Sequence, residues 1–182
     1  SFTPFGIFGI VAKQIAENNN LGELFSRLGL FMVVVVLALF IHAVIVLPLL
    51  LKIIGRVSPS KHFSAMRTPL ITAFSTSSSN ATLPLTMSAV KKNSGVSTKI
   101  TSFTLPLGAT VNMDGTALYE LVAAMFIAQA YGIELTFTEQ IIGVLTGLLA
   151  SIGAAGIPMA GLVMISVVLS AMGLPLEGVG LI

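Results

Sequence analysis

The sequence predicts an all-α membrane protein: an inverted-repeat core with two re-entrant helical hairpins and one unwound transmembrane helix. Three observations predict it. Mean hydropathy over the 182 residues is +1.00. Only 9% of residues are charged, against roughly 25% in a soluble domain. The long apolar segments are interrupted in their middles by runs of Ser, Asn, Gly and Pro, residues that break helices. A soluble fold of this size cannot hide so much apolar surface in one core.

Charge supplies the topology. All nine Lys and Arg lie at or before Lys99, and residues 100–182 contain none. The sequence pI of about 9.2 therefore does not describe a nucleic-acid face; one-sided basic loops mark the cytoplasmic side of a membrane. There is no cysteine, so disulfides and thiolate metal sites are excluded. The chain starts at Ser1 inside apolar pattern and ends in Val179–Ile182, again apolar. It reads as part of a longer membrane protein.

The elements follow in order. Residues 3–17 read as a helix, closed by the turn-forming Asn18, Asn19, Asn20 and Gly22. Leu28–Leu51 carries no formal charge and is flanked by Arg27 and Lys52. As a helix it reaches about 36 Å, enough for a hydrocarbon layer of roughly 30 Å. His42 and Pro48 lie inside it; the histidine reads as a bond to a neighbouring helix or to backbone, with a proton or ion ligand as the alternative, and the proline as a kink. Lys52, Arg56, Lys61 and Arg67 make one cytoplasmic cluster, and Lys91, Lys92 and Lys99 another. Between them, residues 68–90 hold Pro69, Pro84 and the run Ser75-Thr76-Ser77-Ser78-Ser79-Asn80. Two positive clusters on one side and a polar middle predict a hairpin that enters and leaves from the cytoplasm, its tip at Ser77–Pro84. Ile100–Tyr131 reads as two half-helices joined by unwound backbone near Gly108–Thr116. Gln140–Leu174 reads as a second hairpin, entered from the outside and broken at Ser151–Pro158.

The two tips are alike. Ser77-Ser78-Ser79-Asn80-Ala81-Thr82-Leu83-Pro84 and Ser151-Ile152-Gly153-Ala154-Ala155-Gly156-Ile157-Pro158 share Ser at the first place, Ala at the fifth, an aliphatic at the seventh and Pro at the last. Interrupted segments in corresponding halves point to a binding site near the membrane midplane, so the fold reads as an inverted-repeat transporter core.

Asp114 is the one acidic residue between Glu23 and Glu120. A carboxylate inside an apolar segment is costly and functional by default. Thr110, Asn112 and the carbonyls near Gly108 and Gly115 surround it with hard oxygen donors, the kind small cations take. No basic residue is near it in sequence. Glu120 points about 120° away around a helix and is expected to meet another helix or water. Ser77, Ser78 and Ser79, facing Gly153–Gly161, suit an anion instead, through hydroxyls and half-helix amides. Met113, Met125, Met159, Met164 and Met172 read as packing residues more readily than as ligands.

These motifs resemble a known family. Asn112-Met113-Asp114-Gly115-Thr116, preceded by Ser102-Phe103-Thr104-Leu105-Pro106-Leu107-Gly108-Ala109-Thr110, is similar to the seventh-helix signature of the glutamate/dicarboxylate–cation symporters. Ala81-Thr82-Leu83-Pro84 with the serine run resembles their first hairpin, and Ala150–Gly161 their second. The resemblance implies a homotrimer with an elevator-like transport domain in the cell membrane, in contact with lipid. It implies residues 1–21 as the end of a scaffold helix. Residues 22–182 then form part of the transport domain: a spanning helix 22–54, an inner hairpin 62–93, a broken helix 97–131 and an outer hairpin 138–174. Carried over, Gly108, Asn112, Met113 and Asp114 look like one sodium-binding region, and Thr110, Ser151, Ile152 and Ala154 like another closed by the outer hairpin. Ser77, Ser78, Ser79, Thr116, Ile157 and Gly161 look like substrate contacts. Asn80 stands where many relatives have Ser, Ala or Gly, and Ser77 where some have Arg. The family's last helix, which carries the groups that hold the substrate's side chain, lies beyond this sequence. Met113 is typical of sodium-coupled members.

The expected function is sodium-coupled symport of acidic amino acids or dicarboxylates, with sodium as a co-transported ligand and no cofactor. The nearest alternative is a proton-coupled dicarboxylate or neutral amino acid symporter of the same fold. An intramembrane serine hydrolase would need Ser78, His42 and Asp114 assembled, and no Gly-x-Ser-x-Gly elbow supports it.

Overall fold

The structure, a computed structural model, describes residues 21–154 and 160–182. The helix expected over 3–17 and the second tip from 155 to 158 lie outside the described residues. Among the described residues all regular structure is helical.

Helix α1 (Leu21–Ile41) runs into a π-helical turn (His42–Val46) and on into α2 (Leu47–Ile53). Ser26–Ile53 forms one rod of 28 residues, long and apolar enough to cross a membrane. At 1.5 Å per residue it measures about 42 Å. The irregularity expected at Pro48 falls just before it. Proline has no N–H and its ring crowds the carbonyl four residues back. The preceding turn widens instead, and the Leu47 N–H donates to the His42 carbonyl, a bond that spans five residues. The rod's large side chains point outward: Val36 is 66% exposed and Leu49 53%. That greasy exterior fits lipid or further helices, not water.

A short α3 (Pro59–Ala65) leads to α4 (Arg67–Thr76), which packs against α5 (Ser79–Ser94) as a helical hairpin. Its connection is only Ser77–Ser78, shorter than the expected Ser77–Pro84. The reason is capping. The Ser78 Oγ accepts from the Ala81 N–H at 3.3 Å, so the helix restarts at once. Pro84 sits inside α5, where it removes a single intrahelical bond. Gly95, at φ +70°, ends α5 in the left-handed region, which glycine enters without a Cβ clash.

Helix α6 (Thr98–Val111) starts at Ser97, whose side chain accepts from the Ile100 N–H. Helix α7 (Asp114–Ala130) follows after only two residues, Asn112 and Met113. The unwound stretch expected over Gly108–Thr116 is thus narrower. The Asn112 N–H still reaches the Gly108 carbonyl at 3.0 Å. On the far side, the Thr116 and Ala117 N–H groups donate to the Met113 carbonyl at 3.0 and 3.1 Å. Each flank completes its own helix, so only the residues between them are released. Pro106 lies inside α6.

Helix α8 (Phe137–Gly153) opens with a capping box formed by Thr136 and Glu139. It packs with α7 and α9 (Ala160–Ala171). A short 3₁₀ segment, Leu176–Leu181, covers the end of α7. The core of this half is Ala123, Ala124, Ile127 and Ala128 on α7 against Ile165, Val168 and Leu169 on α9. Phe31 of α1 joins it through Phe126, at a ring-centroid distance of 4.8 Å.

Small residues set the spacing. On α8 the buried stripe is Gly143, Gly147, Ala150 and Ser151, while Leu149 on the other face is 69% exposed. Small residues toward neighbours and large ones outward is the packing logic of helices in lipid. A Cβ at Gly147 would sit 3.4 Å from the Leu121 side chain and 3.7 Å from the Ala117 carbonyl. Gly147→Ala should therefore be tolerated. Gly147→Leu should drive α8 off α7 and cost roughly 1–3 kcal/mol, read as a lowered thermal unfolding midpoint of the purified protein.

Candidate functional site

Two breaks in regular structure and the start of α9 converge on one cavity of about 780 Å³. Ser77, Ser78 and Ser79 reach it from the α4–α5 tip. Asn112, Met113, Asp114, Gly115 and Thr116 reach it from the α6–α7 junction. Gly161 and Leu162 reach it from the start of α9.

The serine tip is held by its own bonds. Ser77 adopts φ 49°, ψ 29°, a left-handed conformation uncommon for a residue with a Cβ. Behind it, the Thr82 Oγ1 donates to the Ser78 carbonyl at 2.9 Å, and Thr76 and Thr82 share a hydroxyl contact at 3.3 Å. The tip backbone is thereby fixed against α5. Ser78 is 8% exposed, whereas Ser77 and Ser79 are exposed toward the cavity.

Asp114 is the first residue of α7, where a negative charge is favoured by the exposed amides of the helix start. Its Oδ2 is hydrogen-bonded to the His42 Nε2, across 72 residues of chain. Sequence distance concealed this basic partner. The π-helical turn begins at His42 itself, and such turns commonly mark functional positions. The bond uses one carboxylate oxygen, and the Asp114 side chain remains 41% exposed.

The sequence-predicted residues divide plainly. Ser77, Ser78, Ser79, Asn112, Met113, Asp114, Thr116 and Gly161 line the cavity together. Gly108 lines a second cavity of about 300 Å³ behind the tip, which shares Ser79 and Asn112 with the first. Thr110 is turned into its own helix, its Oγ1 donating to the Leu107 carbonyl at 3.0 Å. Ser151 is buried, with its Oγ donating to the Leu148 carbonyl at 2.8 Å. Ser151 and Ile152 occupy the last turn of α8 and Ala154 the extended residue after it, so backbone carbonyls are what they offer there. Thr110, Ser151, Ile152 and Ala154 are not among the described lining residues of the main cavity. Ile157 lies outside the described residues.

Other lining residues were not singled out from the sequence: Leu39, Ala73 and Tyr119. Tyr119 was within reach, because it follows Gly115 and Thr116 by four and three residues and so shares their helix face. Glu120, one residue on, is turned away into the bundle: it is fully buried, and neither carboxylate oxygen has a hydrogen-bond partner among the described residues. Met125 lines an apolar groove between α1 and α7, and Met172 packs in the core.

A helical bundle with apolar outer faces, enclosing hydroxyls, a carboxylate and released backbone, defines a membrane transport protein. Comparison with known proteins gives the family. A model of the sodium:dicarboxylate symporter family matches residues 1–182. The chain is 48% identical over 181 residues to excitatory amino acid transporter 1 of Bos taurus, covering 100% of this chain and 33% of that protein. It is 49% identical over 181 residues to excitatory amino acid transporter 3 of Mus musculus, covering 100% and 34%. Against an excitatory amino acid transporter of Caenorhabditis elegans it is 46% identical over 181 residues, covering 100% and 36%. The chain belongs to the sodium:dicarboxylate symporter family, a family of multi-pass membrane transporters and not of enzymes. It spans about a third of the length of the relatives it matches.

Two substitutions probe the cavity walls. A Cβ at Gly161 would lie 3.2 Å from the Tyr119 ring and 3.4 Å from the Thr116 Cγ2. Gly161→Ala should push α9 away from α7 and lower the thermal unfolding midpoint of the purified protein. Ser77→Gly should raise thermal stability slightly, by up to about 1 kcal/mol, because glycine relieves the left-handed strain, read as a raised midpoint.

Proposed function

We propose that this chain forms most of the moving part of a sodium-coupled symporter for acidic amino acids or related dicarboxylates. One observation carries the reading: the serine tip, the broken α6–α7 backbone and Asp114 share a single cavity. Hydroxyls and tip amides suit a carboxylate substrate. A carboxylate beside carbonyl oxygens suits a small hard cation. The relatives' names, excitatory amino acid transporters, and the family description, sodium:dicarboxylate symporters, support the same pairing.

In this reading α4–α5 is a hairpin re-entering from the cytoplasm and α8–α9 its inverted counterpart from outside. Residues 1–21 end a scaffold helix of a homotrimer, and residues 22–182 travel with the substrate in a cell membrane. Sodium held by Asp114 with the Gly108, Asn112 and Met113 backbone organises the break between α6 and α7. Substrate then bridges Ser77, Ser78 and Ser79 to Thr116, Ile157 and Gly161. Closure of the outer tip completes a further sodium site from Thr110, Ser151, Ile152 and Ala154. Movement follows only if both ligands bind the closed form better than the open one.

The test is uptake of labelled aspartate, glutamate, succinate and serine by the full-length protein, with and without a sodium gradient. Sodium-dependent uptake of aspartate or glutamate is expected. Asp114→Asn should weaken apparent sodium affinity at least about tenfold, since even the loss of an outer-sphere partner costs that much. Wild-type sodium dependence in that variant would remove Asp114 from the cation site. Uptake that follows a pH gradient and ignores sodium would select a proton-coupled carrier of the same fold.

A further inference from the structure

The basic end of the bundle is a separate feature that the transport reading leaves unused. Seven of the nine basic residues fall between Lys52 and Lys99, and no Asp or Glu occurs between Glu23 and Asp114. The fold gathers these seven at one end. Lys52 ends α2, Arg56 lies in the connection after it, Lys61 lies on α3, Arg67 opens α4, Lys91 and Lys92 close α5, and Lys99 opens α6. All seven are exposed, and none forms an ion pair among the described residues. The Asn93 Nδ2 donates to the Ala65 carbonyl at 2.8 Å, which locks the end of α5 onto α3. Between them lies an open depression of about 580 Å³, lined by Ser60, Lys61, Ser64, Ala65 and Asn93. Lys91 and Lys92 directly precede Asn93 in the chain.

The surroundings of this end are apolar. Ile53, Ile54 and Val57 beside Lys52 and Arg56 are 64%, 75% and 46% exposed. Leu70, Ile71 and Phe74, which follow Arg67 on α4, are 48%, 57% and 90% exposed. Hydroxyls, an amide and uncompensated ammonium groups match a phosphate ester; the apolar side chains beside them match acyl chains. A soluble anion would use the first set and leave the second in water.

We propose that this depression and its basic rim bind the headgroup of an anionic phospholipid of the inner leaflet. The proposal rests on the membrane reading given above, with this end facing the cytoplasm. Attraction to an anionic surface fades within about 8 Å at physiological salt. A domain that slides across the membrane therefore makes this contact in one position and loses it in another. The lipid then favours the position in which it is held, because a ligand shifts an equilibrium only through differential affinity.

The test titrates the full-length protein, purified with uncharged lipid, with fluorescent phosphatidylserine and with phosphatidylcholine of the same acyl chains. Phosphatidylserine is expected to bind more tightly, with the preference falling as salt is raised. Lys61→Gln, Lys91→Gln and Lys92→Gln combined should weaken phosphatidylserine binding at least about tenfold, since each basic residue near such a surface is worth roughly fivefold, and should leave phosphatidylcholine binding unchanged. Sodium-dependent aspartate binding by the variant shows that it is folded; if the variant does not fold, the salt dependence of the unaltered protein decides. Equal binding of the two lipids, or a preference that survives the triple substitution, overturns the proposal. Displacement of phosphatidylserine by inorganic phosphate at equal concentration would make the ligand a free anion and overturn the lipid assignment. An intact lipid preference without any sodium-dependent uptake would overturn the transport reading and leave this one standing.

Discussion

Backbone polar groups in apolar surroundings must find partners within the protein, and that constraint organises this chain. Most of its length answers with continuous helix. Among the described residues the helices stop at several connections, and two of these, Ser77–Ser78 and Asn112–Met113, open into one cavity, where the start of α9 meets them. Released backbone at these two points finds polar company there, the hydroxyls of Ser77, Ser78 and Ser79 and the carboxylate of Asp114. The site is the consequence of where the helices are allowed to stop.

Much of this could be read from residue order. The long apolar rod, the serine tip and the lone acid at position 114 announce themselves by composition and position. Cavity membership of Ser77–Ser79, Asn112–Thr116 and Gly161 followed from treating the breaks as meeting points. The sizes of the breaks did not. Proline and glycine mark where a helix loses a bond, not whether it ends. Pro84 and Pro106 each sit inside a helix because one missing bond is tolerated when both flanks remain paired. Side-chain hydroxyls decided instead: Ser78 and Ser97 capped new helices at once.

The bond between His42 and Asp114 was the least legible element. Each residue is conspicuous alone, one a titratable ring within an apolar rod and the other an isolated acid. Nothing in a linear chain states that residues 72 positions apart will touch. The pairing depends on α1 lying against α7, a packing set by bulky contacts such as Phe31 with Phe126 and by close approaches that glycine permits elsewhere. Burial of Glu120 has the same origin. It stands about 100° around α7 from Tyr119, on the side that packs into the bundle, where it is fully buried.

The π-helical turn at His42–Val46 has a structural corollary. A turn of that kind holds one residue more than an α-helical turn, so everything beyond it is displaced by one position in helical register, about 100° of azimuth. The imidazole that meets Asp114 stands at the seam between the two halves of the rod. Deleting a single residue there would restore an unbroken α-helix and swing either the ring or the Lys52 end to a different side of the bundle. The extra residue lets one continuous rod serve two orientations at once.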